Sequence, residues 1–188
     1  MSDSNSANSA AAQRGSSWLG WILIALAIVA YFAMRARGPE VIAELVGIAR
    51  PPLAVAGWLN TNAPPSDESL RGQVVLLDCW FVDCPPCRAA MPELADFYRR
   101  YRDQGVVVIG ITPDAGSDVP RLEEFVKSVP GFDWPVGYGA DVPLGIMKID
   151  AYPTLILFDK TGKSVWAGHS LNGVDGAVVK ALASEKSS

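Results

Sequence analysis

Basic runs are missing from this chain. Its 16 lysines and arginines are interspersed with 20 acidic residues, for a net charge of −4, so it lacks the electrostatic footprint of a nucleic-acid-binding surface. Cysteine and histidine are scarce, at three and one. A small odd number of cysteines argues against a secreted scaffold stapled by disulfides. A four-ligand zinc site would have to gather Cys79, Cys84, Cys87 and His169, with no second paired-ligand motif to support it. Haem attachment needs a histidine directly after the second cysteine of a C-x-x-C, and Arg88 stands there. No metal or cofactor is therefore expected, and no internal repeat is present. Large apolar side chains are also almost absent from residues 1–17, which are mostly Ser, Asn and Ala. Such a segment cannot bury a core and is expected to be disordered.

Residues 18–34 reverse that composition and carry no charge. As a helix they would extend about 25 Å, slightly short of a bilayer core of about 30 Å. Trp18, Trp21 and Tyr31 lie near the ends, where aromatic belts sit, and Arg35 and Arg37 stop the run. A helix apolar all round has nothing to pack on ahead of a complete domain, so an uncleaved transmembrane anchor is expected rather than a cleaved leader. Arg14 precedes the segment while Arg35, Arg37 and Arg50 follow it, and that balance weakly favours a cytoplasmic C-terminal domain. Residues 35–52 read as a tether, with a short amphipathic helix at 41–48 ended by Pro51-Pro52. Residues 53–188 read as one domain.

Within that domain, Cys84-Pro85-Pro86-Cys87 follows an apolar run, 74–81, and precedes a helical pattern, 88–102. Two cysteines so spaced at a strand-to-helix junction form the core of a dithiol–disulfide site. The helix N-terminus offers unpaired N–H groups and the positive end of the dipole, which stabilise the thiolate of Cys84, the attacking species. Cys87 lies one turn on, expected to be more buried, and can resolve a mixed disulfide. Pro85 and Pro86 are tolerated in the first turn and stiffen the loop.

Asp78 interrupts the apolar strand, where a carboxylate is costly unless used, protonated or tied into a structural hydrogen bond. Burial would raise its pKa and suit it to accept the proton of Cys87. Asp83 sits directly before Cys84, where its charge disfavours the thiolate unless it caps the helix. Cys79 points to the opposite face from Asp78 and reads as an inert core thiol. His169 is assigned no chemistry.

Periodicity predicts strands at 53–58, 74–81, 106–111, 132–136, 154–158 and 164–167. It predicts helices at 119–129, 142–148 and 174–183 besides the active-site helix, which Pro92 should kink. Residues 159–162 form the turn of a hairpin. The order implies an α/β layer structure with a mixed sheet flanked by helices.

Residues 70–173 resemble the membrane-anchored thioredoxin-like proteins of the TlpA/ResA group. The resemblance is carried by Leu70-Arg71-Gly72-Gln73-Val74-Val75-Leu76-Leu77, by Cys84-Pro85-Pro86-Cys87-Arg88 with Met91-Pro92-Glu93-Leu94, by Gly105-Val106-Val107-Val108-Ile109-Gly110-Ile111, and by the stretch from Tyr152-Pro153-Thr154 to Gly162-Lys163. It implies a thioredoxin-like fold with a helix–strand–helix insertion over 114–147, and a thiol–disulfide oxidoreductase, usually a reductase, outside the cytoplasmic membrane (periplasmic), against the charge count.

By the same resemblance, Pro153, which alone could be an ordinary trans proline at a strand start, is a cis proline facing the disulfide, and Tyr152 with Pro85 and Pro86 borders the substrate. Substrates would be protein disulfides, including those of apocytochrome c, with a membrane thiol-electron transporter as reductant. The group usually has Asn where this chain has Asp78, and a Glu where it has Ala90, so the acid–base group is expected to have moved from helix to strand. It most often has Trp where Asp83 stands, which removes apolar docking surface. A dithiol oxidase and a copper-chaperone-like module are the alternatives.

Overall fold

A computed structural model describes residues 17–35 and 41–184, which fall into two units. The first holds helix α1, Ser17–Arg35. Its side chains from Trp21 to Val29 are exposed. Among the described residues no helix is long and apolar enough to cross a membrane, so the span expected at 18–34 is not shown. The disordered tail expected at 1–17 lies outside the described residues save for Ser17.

Among the described residues the second unit is built on six strands and four α-helices: β1 Gly57–Leu59, β2 Val74–Cys79, α2 Pro85–Tyr101, β3 Val106–Thr112, α3 Val119–Ser128, β4 Val136–Tyr138, α4 Asp141–Ile146, β5 Thr154–Phe158, β6 Ser164–Gly168 and α5 Val174–Ala183. The sheet order is β1-β4-β3-β2-β5-β6. β2 pairs parallel with β3 and antiparallel with β5, so the sheet is mixed and β2 is central. Every residue of β2 is buried, as its unbroken apolar run requires. Alternation then sorts its side chains. Val74 and Leu76 join the core that also holds Cys87, Met91 and Leu94 of α2 and Val178 of α5. Val75, Leu77 and Cys79 join the opposite core with Leu144 of α4. Asp78 shares the parity of Val74 and Leu76 and so faces α2. The chain turns from α2 into β3 at Gly105, whose φ of 92° is the left-handed conformation that glycine adopts without steric cost.

Three expected elements differ. The strand expected at 132–136 starts instead at Val136, because Pro135 has no N–H to donate and the Asn60 amide takes the carbonyls of Phe132 (2.7 Å) and Trp134 (3.0 Å). The strand expected at 53–58 pairs only over Gly57–Leu59, since its partner β4 is itself three residues long. The amphipathic helix expected at 41–48 is a single 3₁₀ turn, Ala43–Leu45. Its backbone is spent on the outer edge of β6: Ile42 N–H donates to the Ala167 carbonyl and Gly47 N–H to the Ser164 carbonyl, both at 2.9 Å. Residues 41–50, within the stretch read as a tether, thereby cover an otherwise open sheet edge. Pro92 lies inside α2, which runs unbroken across it.

Candidate functional site

Cys84 is the N-cap of α2, with extended backbone, and its Sγ accepts a hydrogen bond from the Cys87 N–H at 3.2 Å. Pro85 and Pro86 occupy the first two helical positions, where an N–H would have no helical partner anyway. The Cys84 N–H is itself bonded to the Phe81 carbonyl at 3.2 Å, and the Arg88 N–H closes the first helical bond to the Cys84 carbonyl at 3.0 Å. The cap expected of Asp83 is thus supplied by Cys84. With both prolines silent, the Cys87 N–H is the first-turn donor aimed at the Cys84 sulfur.

A disulfide joins Cys84 to Cys87, with Cα atoms 5.2 Å apart. Both residues are buried, Cys84 at 2% exposure and Cys87 at 0%, while Pro85 and Pro86 are exposed. The burial difference expected between the two cysteines is therefore slight in the oxidised state. Cys79 is a free thiol in the core across the sheet, pushed well above its ordinary pKa by burial and by the nearby Asp78. A converging zinc set of Cys79, Cys84, Cys87 and His169 is accordingly not assembled.

Asp78 is 2% exposed, and its Oδ2 has no hydrogen-bond partner among the described residues. Burial alone pushes its carboxyl up to about 7. It lines a small cavity of about 30 Å³ together with Cys87, Ala90, Pro153 and Leu155. Asp78 and Ala90 thus reach one space, which is where a helix-borne carboxylate at position 90 would also point. Pro153 follows a cis peptide bond from Tyr152. Tyr152 meets Phe81 edge-to-face at 5.2 Å between ring centres, so an aromatic pair links the loop before Cys84 to the loop before β5.

The charge of Asp83 is not left bare. Arg121 of α3 grips its carboxylate with both terminal nitrogens, one of them at 3.1 Å. Its pKa is lowered, chiefly by the hydrogen bond from Arg121; desolvation opposes this as the next influence, and the positive charges of Arg121 and Arg88 add smaller downward contributions. The penalty on the Cys84 thiolate expected from Asp83 is thereby offset by a cation from α3. Removing that cation in Arg121→Gln should raise the Cys84 thiol pKa, read as an upward shift of the thiolate ultraviolet titration. Because the pair is exposed, the difference from wild type should shrink as salt is added. An unchanged titration at low salt would show that Asp83 and Arg121 do not act on the sulfur.

Three contributors were not legible in the sequence. Asp114 accepts hydrogen bonds from the Val82 N–H at 2.7 Å and the Thr112 hydroxyl at 2.6 Å, and so pins the loop entering the disulfide. The His169 ring sits 2.7 Å from the Pro153 carbonyl through Nδ1, bracing the proline loop. Glu93, exposed on α2, borders the Asp78 cavity. Only the helical spacing of Ala90 and Glu93 could have signalled the last.

Residues 72–164 match the thioredoxin-like family. The chain is 43% identical over 124 residues to Protein DipZ of Mycobacterium bovis, covering 63% of this chain and 18% of that protein. It is 31% identical over 99 residues to the thiol-disulfide oxidoreductase ResA of Bacillus cereus, covering 52% and 56%. The chain therefore spans about a fifth of the first relative and about half of the second. Among solved structures, a thiol-disulfide isomerase from Corynebacterium glutamicum superposes with a TM-score of 0.59 at 25% identity, covering 72% of this chain and 97% of that one.

Proposed function

We propose, on the premise that this chain belongs through residues 72–164 to the thioredoxin-like family and resembles its ResA/TlpA-type members, that it is a thiol–disulfide oxidoreductase working through Cys84 and Cys87. The observation that carries the reading is the disulfide at the N-terminus of α2 with a buried, unpaired carboxyl, Asp78, bordering the same cavity as Cys87. In the reducing direction, the Cys84 thiolate attacks a substrate disulfide, forming a Cys84–substrate disulfide and releasing one substrate thiolate. Cys87 passes its proton to Asp78 and attacks Cys84. The mixed disulfide breaks, the Cys84–Cys87 disulfide forms, and the second substrate sulfur leaves as a thiolate. Two electrons pass from the dithiol to the substrate, and a thiol donor must restore them. Tyr152, Pro153, Pro85 and Pro86 border the substrate in this reading, with the Phe81–Tyr152 pair offering apolar surface where Asp83 gives none.

The proposal extends to a membrane-anchored reductase of exported proteins, c-type cytochrome precursors among them, recharged by a membrane thiol-electron transporter. The uncharged run 18–34 and the exposed large apolar side chains of α1, including Trp21, Leu23, Leu26 and Val29, support the anchor. A tethered reductase is most needed where proteins are being oxidised, which supports placing the redox domain outside the cytoplasm. Reporters fused at the C-terminus test this: a signal only from a reporter that works in the cytoplasm would overturn the orientation, and release of the full chain from membranes by alkaline carbonate would overturn the anchor.

Reduction potential tests the direction. A value for the full chain near the thioredoxin figure of about −270 mV fits a reductase, and one near the DsbA figure of about −120 mV overturns that for an oxidase. One observation favours the second reading: Arg121 neutralises Asp83, and a better-stabilised Cys84 thiolate makes a more oxidising disulfide.

A further inference from the structure

Asp78 must lose, in each turnover, the proton it gains, and burial denies it direct contact with bulk water. We propose that Glu93 is the solvent-side carboxylate of a proton relay that drains Asp78 through the cavity between β2 and α2. This rests on the reading of Asp78 as the acceptor of the Cys87 proton.

The cavity, at about 30 Å³, has room for about two water molecules. A buried water needs polar partners, and the cavity lining supplies them. Asp78 Oδ2 is buried and unpaired on the inner side, while Glu93 and Ser170 are exposed residues at the border. The remaining walls are apolar apart from Cys87 itself. Ala90 and Glu93 are three residues apart on α2, so one helical stripe presents the small side chain beside Cys87 and the carboxylate further out.

Four stretches of chain line the cavity: β2 contributes Asp78, α2 contributes Cys87 and Glu93 with apolar neighbours, the loop into β5 and β5 itself contribute Pro153 and Leu155, and the segment after β6 contributes Ser170 and Leu171. No lysine, arginine or histidine lines the cavity to hold the proton or to lock Asp78 in its charged form. Among the lining groups, Glu93 is the carboxylate other than Asp78.

The steps balance. The Cys87 thiol gives its proton to the Asp78 carboxylate as its sulfur attacks Cys84. Protonated Asp78 then passes that proton to a cavity water, which passes one on to Glu93, and Glu93 releases it to bulk solvent. Both carboxylates return to their starting charge, and no electrons move in the relay. Ser170 can hold the water in place, but a hydroxyl is a poor proton store near neutral pH.

The test uses the reduced full chain mixed rapidly with insulin as the disulfide substrate, at low and high imidazole concentration. Glu93→Gln should slow resolution roughly tenfold at low imidazole, less than removal of a general base itself, because dissolved buffer can partly stand in. Added imidazole should restore its rate while leaving wild type unchanged. Glu93→Asp, which keeps the carboxylate, should lie between the two, and attack by Cys84 should be unaffected in both variants.

A wild-type rate in Glu93→Gln at low imidazole overturns the relay, as does a slow rate that imidazole does not restore, which would make Glu93 a packing or docking residue. Asp78→Asn separates the two claims. If it resolves normally, the Asp78 reading fails. If it is slow while Glu93→Gln is normal, the relay alone fails.

Discussion

Cys84→Ser is expected to abolish disulfide exchange, whereas Cys87→Ser should still attack and then stall as a mixed disulfide through Cys84. Position decides the asymmetry. Cys84 caps α2, and the Cys87 N–H, with the helix dipole behind it, points at its sulfur. A serine hydroxyl is scarcely ionised near neutral pH and cannot replace the thiolate. Cys87 lies beyond the cap, lining the same cavity as Asp78, at 0% exposure. It is placed to receive an internal disulfide rather than to meet a protein substrate. Mass spectrometry of the adduct trapped in Cys87→Ser checks the roles, and an adduct on Cys87 of the Cys84→Ser variant instead would invert them.

Asp78→Asn should slow resolution by about 10²-fold or more near neutral pH, the usual scale for removing a general base, with attack by Cys84 unchanged. Adding Ala90→Glu in that background should restore part of the rate, since position 90 borders the same cavity. Resolution at the wild-type rate would place the base elsewhere.

The same carboxyl has an opposite effect on stability. Its pKa rises on folding from 3.8 to about 7, with burial as the cause. The folded protein therefore keeps a proton that the unfolded chain releases. Stability linked to Asp78 is fully present below 3.8 and is lost as pH rises through about 7. A shift of that size corresponds to on the order of 4 kcal/mol. The oxidised Asp78→Asn variant should thus gain on wild type in denaturant titrations as pH rises across that window. An equal difference between the two proteins at both ends would mean that Asp78 is not held protonated by the fold.

Local chemistry was legible in the sequence wherever neighbours along the chain decide it. The Cys84-Pro85-Pro86-Cys87 run announces a strand-to-helix junction, because two prolines fit a first helical turn and the apolar run 74–81 fits a buried strand. β5 and α5 appear at the residues their periodicity marks, 154–158 and 174–183. The parity of β2 already set Asp78 and Cys79 on opposite faces.

Long-range partners decided the rest. The strand expected at 132–136 yields to Asn60, which lies some seventy residues earlier and takes the carbonyls a ladder would use. The segment 41–48 gives up its helix because the edge of β6 accepts its backbone hydrogen bonds. Asp83, read alone, is a charge against the neighbouring thiolate; Arg121, brought in by α3, turns it into half of an ion pair. Asp114 and His169 acquire their places only when loops from separate strands meet. The sequence by itself determined the redox pair, the buried carboxyl and the mixed α/β order, since these follow from adjacency and period. Tertiary structure alone decided the cavity that joins Asp78 to Glu93 and the cation beside Asp83, because both depend on side chains that only a closed sheet with helices packed on it brings within reach.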